Sequence, residues 1–293
     1  MMFLFLLPAI LISLAFFYAP MFGIAMAFQD FSIVNGFFHS AFVGLENFTA
    51  FLSDPKFYIA LKNTLGINFL MLVVGFPMPI LFALLVNEMQ PGRFKRISQT
   101  ITYLPYFISW IIIAGLAYRL LEQNYGNINL LINFLGGEKI AFFRESQHFW
   151  WIVVILSIWK GLGWNSIIYL AALSGIDSEL YEAATIDGAG RLQKIIYISL
   201  PGIAPTILVL FILAIGSMVT SVGGAGFDAI FNLKNAMVAK TSTTLDVYIY
   251  QQGLQMSRPS FAAAVGLMQS FIGLGLVVMA NTITRKIKGY GLF

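Results

Sequence analysis

Residues 178–201 read Ser178-Glu179-Leu180-Tyr181-Glu182-Ala183-Ala184-Thr185-Ile186-Asp187-Gly188-Ala189-Gly190-Arg191-Leu192-Gln193-Lys194-Ile195-Ile196-Tyr197-Ile198-Ser199-Leu200-Pro201, an island of charge in a chain that is otherwise mostly hydrocarbon. Glu179, Glu182, Asp187, Arg191 and Lys194, with Asp177 just ahead, ask for water. Ser178 is expected to cap a short helix whose first turn carries Glu179 and Glu182, the sign of charge that a helix N-terminus favours. Small Ala183 and Ala184 leave a face that a partner's backbone can approach closely. Asp187-Gly188 is a turn signal, because Gly accepts positive φ and Asp bonds back to its own backbone. A second helical run then leads to Leu200-Pro201 and an apolar segment. The expected object is helix, bend, helix: a shaped knob. The alternative is a solvated amphipathic hairpin with no partner.

Outward from the knob, composition sets the class. With 59% hydrophobic and 10% charged residues and a mean hydropathy of +0.83, the chain has too little polar surface to coat a soluble globule. It reads as an all-α polytopic membrane protein. About 20 apolar residues cover a roughly 30 Å hydrocarbon core, and six runs qualify or nearly do: 3–28, 64–86, 101–121, 149–173, 202–222 and 261–283. The first is too long for a signal-peptide core and lacks a basic flank, which leaves room for native residues ahead of Met1. Pro77 and Pro79 are expected to kink the second run and free backbone carbonyls. Gly223-Gly224-Ala225-Gly226, after the fifth run, reads as a loop hinge. Trp150 and Trp151 sit where an interfacial aromatic belt belongs.

Orientation follows from the basic residues. With the N-terminus inside, the inner segments hold Arg93, Lys95, Arg96, Arg191, Lys194, Arg285, Lys286 and Lys288, while the longer outer loops hold Lys56, Lys62, Lys139, Arg144, Lys234, Lys240 and Arg258. Basic density is about twofold higher on the first side, which the positive-inside rule assigns to the cytoplasm. Both termini and the knob are expected inside, and the net charge of +4 is a topology signal that requires no nucleic acid.

Chemistry is mostly absent. The sequence holds no Gly-x-x-x-x-Gly-Lys-Ser/Thr phosphate cradle, so energy must come in trans or from a gradient. Gly188-x-Gly190 begins like a dinucleotide fingerprint, but it follows a helix and Gln193 stands where the third glycine belongs. There is no cysteine for disulfide, thiolate metal site or nucleophile, and His39 and His148 form no zinc pattern. Serines such as Ser109 and Ser217 lie in the runs without a histidine, so no catalytic residue is assigned. No Asp or Glu lies in any run, which speaks against a gradient-driven secondary transporter. Lys160 falls near the middle of the fourth run, where a charge costs about 2.5–3.5 kcal/mol unless it faces protein or a watery cavity. With Trp159, Trp164 and Asn165 beside it, it reads either as a wall of a substrate path or as a contact between two such subunits. Arg119, near a run's end, can snorkel.

The order Glu182-Ala183-Ala184, two residues, Asp187-Gly188-Ala189, then Ile198-Ser199-Leu200-Pro201 resembles the EAA loop of the membrane subunits of bacterial ABC importers; Ile195 departs from the Phe usual there. A second resemblance runs through Gly44-Leu45-Glu46-Asn47-Phe48, Asp54-Pro55-Lys56-Phe57, Phe227-Asp228-Ala229-Ile230-Phe231-Asn232-Leu233, Leu245-Asp246-Val247-Tyr248-Ile249-Tyr250, Ala263-Ala264-Val265-Gly266-Leu267 and the Gly291-Leu292-Phe293 end. These are similar to the oligo- and polysaccharide branch of carbohydrate-importing permeases, with a departure at Lys234-Asn235-Ala236.

The resemblance implies a type I importer fold over 1–293 and a coupling loop at 174–201. Glu179, Glu182, Ala183, Ala184, Asp187, Gly188, Ala189, Arg191, Leu200 and Pro201 would then dock into a cleft of a separate ATP-hydrolysing subunit. It also implies a second homologous permease subunit, two copies of the ATP-binding subunit carrying ATP and magnesium, an extracytoplasmic solute-binding protein, the bacterial inner membrane and a saccharide substrate. No cofactor is expected in this chain. A neutral oligosaccharide is the substrate expected of the branch as a whole; an acidic saccharide, whose carboxylates would supply Lys160 with an anion, is the second reading, and a permease for another solute, such as glycerol phosphate, is the other expectation within the family.

Overall fold

The computed structural model describes residues 2–220, 226–288 and 291–292. Gly223, Gly224 and Ala225 of the expected hinge, Val222 at the end of the fifth run and the terminal Phe293 lie outside them. Among the described residues four helices are long and apolar enough to cross a membrane: α1 (Leu6–Phe28), α2 (Pro55–Asn87), α5 (Ser146–Ser174) and α11 (Pro259–Lys286). Two bent pairs of helices are apolar enough when taken together. α3 (Arg93–Phe107) meets α4 (Trp110–Leu120) at 100°, and α7 (Arg191–Gly202) meets α8 (Ala204–Val219) at 61°. The remaining helices that matter are α6 (Ser178–Ile186), α9 (Phe227–Leu233) and α10 (Leu245–Tyr250). Between α1 and α2 a two-residue ribbon pairs β1 (Gln29–Asp30) antiparallel to β2 (Ala41–Phe42).

Three expectations change on the way. The run at 101–121 is not one helix: the helical turn continues past Pro105 to Phe107, then Ile108 and Ser109 go extended and the axis turns there. The run at 202–222 breaks at Ile203, a fully buried side chain. Pro77 and Pro79 do not break α2, which runs from Pro55 to Asn87; a π turn at Met71–Gly75 lies just ahead of them, with Phe76 N–H reaching Met71 O at 2.8 Å. Similar π turns occur at Leu14–Tyr18, Ile195–Ser199 and Gln251–Gln255.

The core lies at both ends of the bundle. At the knob end, Ile80, Ala83 and Leu84 of α2 meet Tyr169 and Leu173 of α5 and Ile203 at the α7–α8 joint, with Ile195 packed against them. At the far end, Phe51, Phe57, Tyr248 and Phe261 form a ring cluster whose centroids lie 5.0–6.3 Å apart; such aromatic pairs contribute about 0.5–1.5 kcal/mol each beyond burial. A second far-end cluster gathers Ile67, Ala117, Phe149, Val153, Ile230 and Leu233.

Irregular backbone at membrane depth is tolerated only where its polar groups find partners. Buried amides supply them here. Asn63 donates to Lys240 O and Thr243 O, Asn68 to Met218 O and Thr220 O, and Gln269 to Val219 O. Asn235 organises the far-end turn at which the resemblance departs: its Oδ1 accepts from Met237 N–H and Val238 N–H, and its Nδ2 donates to Phe143 O. The neighbouring Lys234 ammonium lies 4.3 Å from the Phe231 ring centre, and burial pulls its pKa down.

Candidate functional site

The knob has the expected helix, bend, helix, with one change of cap. Asp177, not Ser178, is the N-cap of α6: its Oδ1 accepts from Glu179 N–H at 3.0 Å, and Ser178 is the first helical residue. The C-terminus of α6 closes as a Schellman motif. Gly188 sits at φ +80°, Ala189 N–H reaches Ala184 O at 2.8 Å and Gly188 N–H reaches Thr185 O at 3.1 Å. Gln193 then explains itself, since its Oε1 accepts from Gly190 N–H at 2.7 Å and caps the start of α7.

Two side-chain bonds tie the arms of the hairpin. Lys194 Nζ donates to Thr185 Oγ1 at 2.7 Å, and the Tyr181 hydroxyl pairs with buried Ser199 Oγ at 2.9 Å. At the base, Ile176 lies so close to Gly202 that a Cβ there would stand 2.5 Å from Ile176 Cδ1. Glu179, Glu182, Ala183, Asp187, Gly188, Arg191, Leu200 and Pro201 are exposed, and Ala184 and Ala189 are half-buried. Around these charges Leu180, Ile186 and Leu192 are also open, Ile186 at 87%. The hairpin therefore presents a braced, mixed apolar and acidic tip. Arg191 lines a cleft of about 410 Å³ with Leu85, Glu88 and Phe94.

The second feature is a cavity of about 690 Å³ between α2, α5 and α8. It runs along the π turn and prolines of α2 (Met71, Gly75, Pro79) and is faced by Trp164, Asn165 and Ser217. Pro77 and Pro79 carry no N–H, so the turn before them holds carbonyls without helical donors on this wall. Of the four residues expected on a substrate path, Trp164 and Asn165 line this cavity; Lys160 and Trp159 do not. The Lys160 Nζ donates instead to Tyr106 O at 2.6 Å, Ile108 O at 2.5 Å and Pro105 O at 3.4 Å. These carbonyls lie at the C-terminal end of α3 and its cap, where the turn into α4 ends the helical ladder; Pro105 O also takes Ile108 N–H. A cation at a helix C-terminus is favoured by both bonding and dipole, so backbone carbonyls solvate the charge. Trp164, one turn on, stacks on Tyr106 with centroids 4.4 Å apart and planes 5° apart.

Sequence reading passed over Tyr181, Tyr106 and Asn68. Asn68 did carry a signal, being an amide in an apolar run. Among the described residues no group of His, Asp and Glu is gathered as a metal site, and the His148 ring nitrogen Nε2 lies 3.1 Å from Glu145 Oε2 on the surface.

Four long apolar helices and two bent apolar pairs, with a braced hairpin at one end and a cavity between three of the helices, define a polytopic membrane protein. Residues 75–289 match the family described as binding-protein-dependent transport system inner membrane component, and the chain belongs to that family. It is an ABC transporter permease. It is 41% identical over 292 residues, covering 100% of this chain and 90% of the relative, to the polygalacturonan/rhamnogalacturonan transport system permease protein YteP of Bacillus subtilis (strain 168). It is 33% identical to the arabinooligosaccharides transport system permease protein AraP of the same organism, covering 99% of this chain and 90% of that one. A permease chain from the crystal structure of a bacterial alginate ABC transporter, in complex with an alginate pentasaccharide-bound periplasmic protein, superimposes with a TM-score of 0.89. The two chains are 37% identical, over 99% of this chain and 96% of that one.

Proposed function

We propose that residues 1–293 form a single translocation domain, one half of a paired permease that imports oligo- or polysaccharide. A second homologous subunit completes the pathway, an extracytoplasmic binding protein delivers the sugar, and two copies of an ATPase subunit bind ATP and magnesium below. Both termini and the knob face the cytoplasm, in keeping with the density of Lys and Arg on that side. The knob at 174–201 seats in the ATPase, with Glu182 and Gly188 at its tip, and turns a rigid-body motion outside the bilayer into a helix rearrangement within it. The observation that carries this reading is continuity: α5 runs unbroken from the cavity wall at Trp164 and Asn165 to Ser174, three residues before the cap of the knob. The chain itself performs no covalent chemistry.

For the substrate, the relatives named for polygalacturonan and for alginate, the latter called an acidic polysaccharide, favour uronate-bearing chains. Relatives named for sn-glycerol-3-phosphate transport are less similar, at 33%. The test is uptake by the assembled transporter in proteoliposomes, with acidic and neutral oligosaccharides of one length, beside Gly188→Trp. ATP-dependent uptake of the acidic chain, lost in Gly188→Trp with the protein still in the membrane, is expected. Undiminished uptake and ATPase stimulation in Gly188→Trp would sink the coupling role.

A further inference from the structure

We propose that Lys160 is a latch that fastens the bent α3–α4 crossing to α5, so that the elbow travels with α5 when the knob is moved. The inference rests on the coupling reading above and adds to it a residue that acts through the backbone of another helix.

The elbow is soft by itself. Ile108 and Ser109 are extended, Ser109 makes no side-chain cap to α4, and only Ile108 N–H to Pro105 O at 3.1 Å bridges the turn locally. What holds the angle comes from α5, 50 residues further along the chain, on one face over little more than a turn. Lys160 takes the three carbonyls; its ammonium also lies 5.4 Å from the Tyr106 ring centre and 5.8 Å from that of Trp110, one ring on each side of the bend. A Cβ at Gly163 would stand 2.5 Å from Thr102 O, so the two backbones approach as closely as glycine allows. Trp164 closes the set by stacking on Tyr106.

Lys160 lies midway along the 29-residue α5. The same rigid helix carries the latch, the cavity wall and, at its end, the knob. Displacement of the knob is therefore delivered to the elbow at mid-bilayer and not only to the cavity. The acceptors also suit a moving joint. Three neighbouring carbonyls let one ammonium trade partners as the angle changes, without separating an ion pair in a low-dielectric interior.

The test uses the assembled transporter in proteoliposomes. Lys160→Met is expected to assemble, to lose about tenfold in maximal uptake with KM for the saccharide within about twofold, and to hydrolyse more ATP per sugar moved. Lys160→Arg, which can still donate to the carbonyls, restores most of the uptake. The natural sequence contains no cysteine, so Ile113→Cys gives this chain a single thiol just past the elbow, at a position that is 1% exposed while the elbow is closed. Its reaction with a membrane-permeant maleimide should accelerate about tenfold in Lys160→Met as the elbow opens.

Wild-type stoichiometry and unchanged labelling in Lys160→Met would overturn the latch, and so would a rise in KM alone, which marks a substrate contact. Should Lys160→Met fail to assemble, Lys160→Gln, with two uncharged N–H donors, decides: intermediate labelling supports the latch and wild-type labelling overturns it. Gly188→Trp leaves the elbow intact and keeps slow labelling. Failure of the coupling reading thus shows in uptake alone, and failure of the latch in labelling.

Discussion

The molecule bends its backbone sharply in two places that matter, and it does so by opposite means. The knob turns at Asp187-Gly188, where the residues at the bend make it: Gly188 supplies the positive φ and the carbonyls of Ala184 and Thr185 take the next two N–H groups. The α3–α4 elbow turns at Ile108-Ser109, where its own residues supply one local bond and the rest comes from Lys160, Gly163 and Trp164 on another helix. A locally made bend keeps its shape while it is pushed. A bend made from outside moves when its holder moves. The first property suits a part that transmits force and the second a part that responds to it.

The largest effect should come from attacking the local bend in kind. Gly188→Val places a β-branched residue at φ +80°, at a cost of about 1–3 kcal/mol, and uptake should fall to background at normal membrane abundance. Gly188→Asn, which tolerates this region, should keep most of it; equal loss in both would mean that the bend's conformation is not what matters. Next comes a joint of the second kind at the far end, where the Tyr248 hydroxyl donates to Asp54 Oδ2 at 2.6 Å, across to the N-cap residue of α2.

Tyr248→Phe should cost about 1 kcal/mol, read as a lowered midpoint of thermal unfolding in detergent. Burial, then Asp54, pushes the pKa of Tyr248 up, so the protonated hydroxyl is the form the fold favours. The stabilisation is complete below the unfolded tyrosine value of about 10 and fades as pH climbs through the folded one. The wild-type to Phe difference should therefore stay flat between about pH 7 and 9 and shrink only above. A difference that already falls there would contradict the bond. The smallest effect is expected at Pro105→Ala. If α5 sets the elbow, restoring one N–H changes stability by less than about 1 kcal/mol and leaves uptake intact; straightening of the crossing, seen as lost activity, would make proline the cause.

The same contrast explains what could be read in advance. Residues 178–201 gave the hairpin because capping, the Asp-Gly turn and charge all act within a few positions, and even there the cap moved by one, from Ser178 to Asp177, since both are good caps and only the structure chooses. The long helices followed from run length. The third crossing misled because a run of apolar residues at 101–121 averages to a span whatever its axis does, and the cause of its bend lies on α5. Lys160 was noticed for its cost, and an anion was invoked to meet it; the carbonyls that meet it belong to residues whose side chains say nothing about their backbone. Of the residues read together with Lys160, Trp164 and Asn165 line the cavity and Trp159 does not, a division that adjacency in sequence could not give because neighbours on a helix point about 100° apart.

Each of the four π turns among the described residues carries one residue more than the regular helix around it would use. Since one residue turns an α-helix by about 100°, every such turn re-aims all that follows it: above Met71–Gly75, α2 shows Ile67 and Asn68 to the far-end packing, and below it Ile80, Ala83 and Leu84 to the knob-end core. A deletion of one residue within 71–75 would leave a regular and perfectly good helix, yet its two halves would face the wrong neighbours. The chain is in this sense indexed by its irregularities, and a helix alignment that closed the gap would misplace half of the cavity wall.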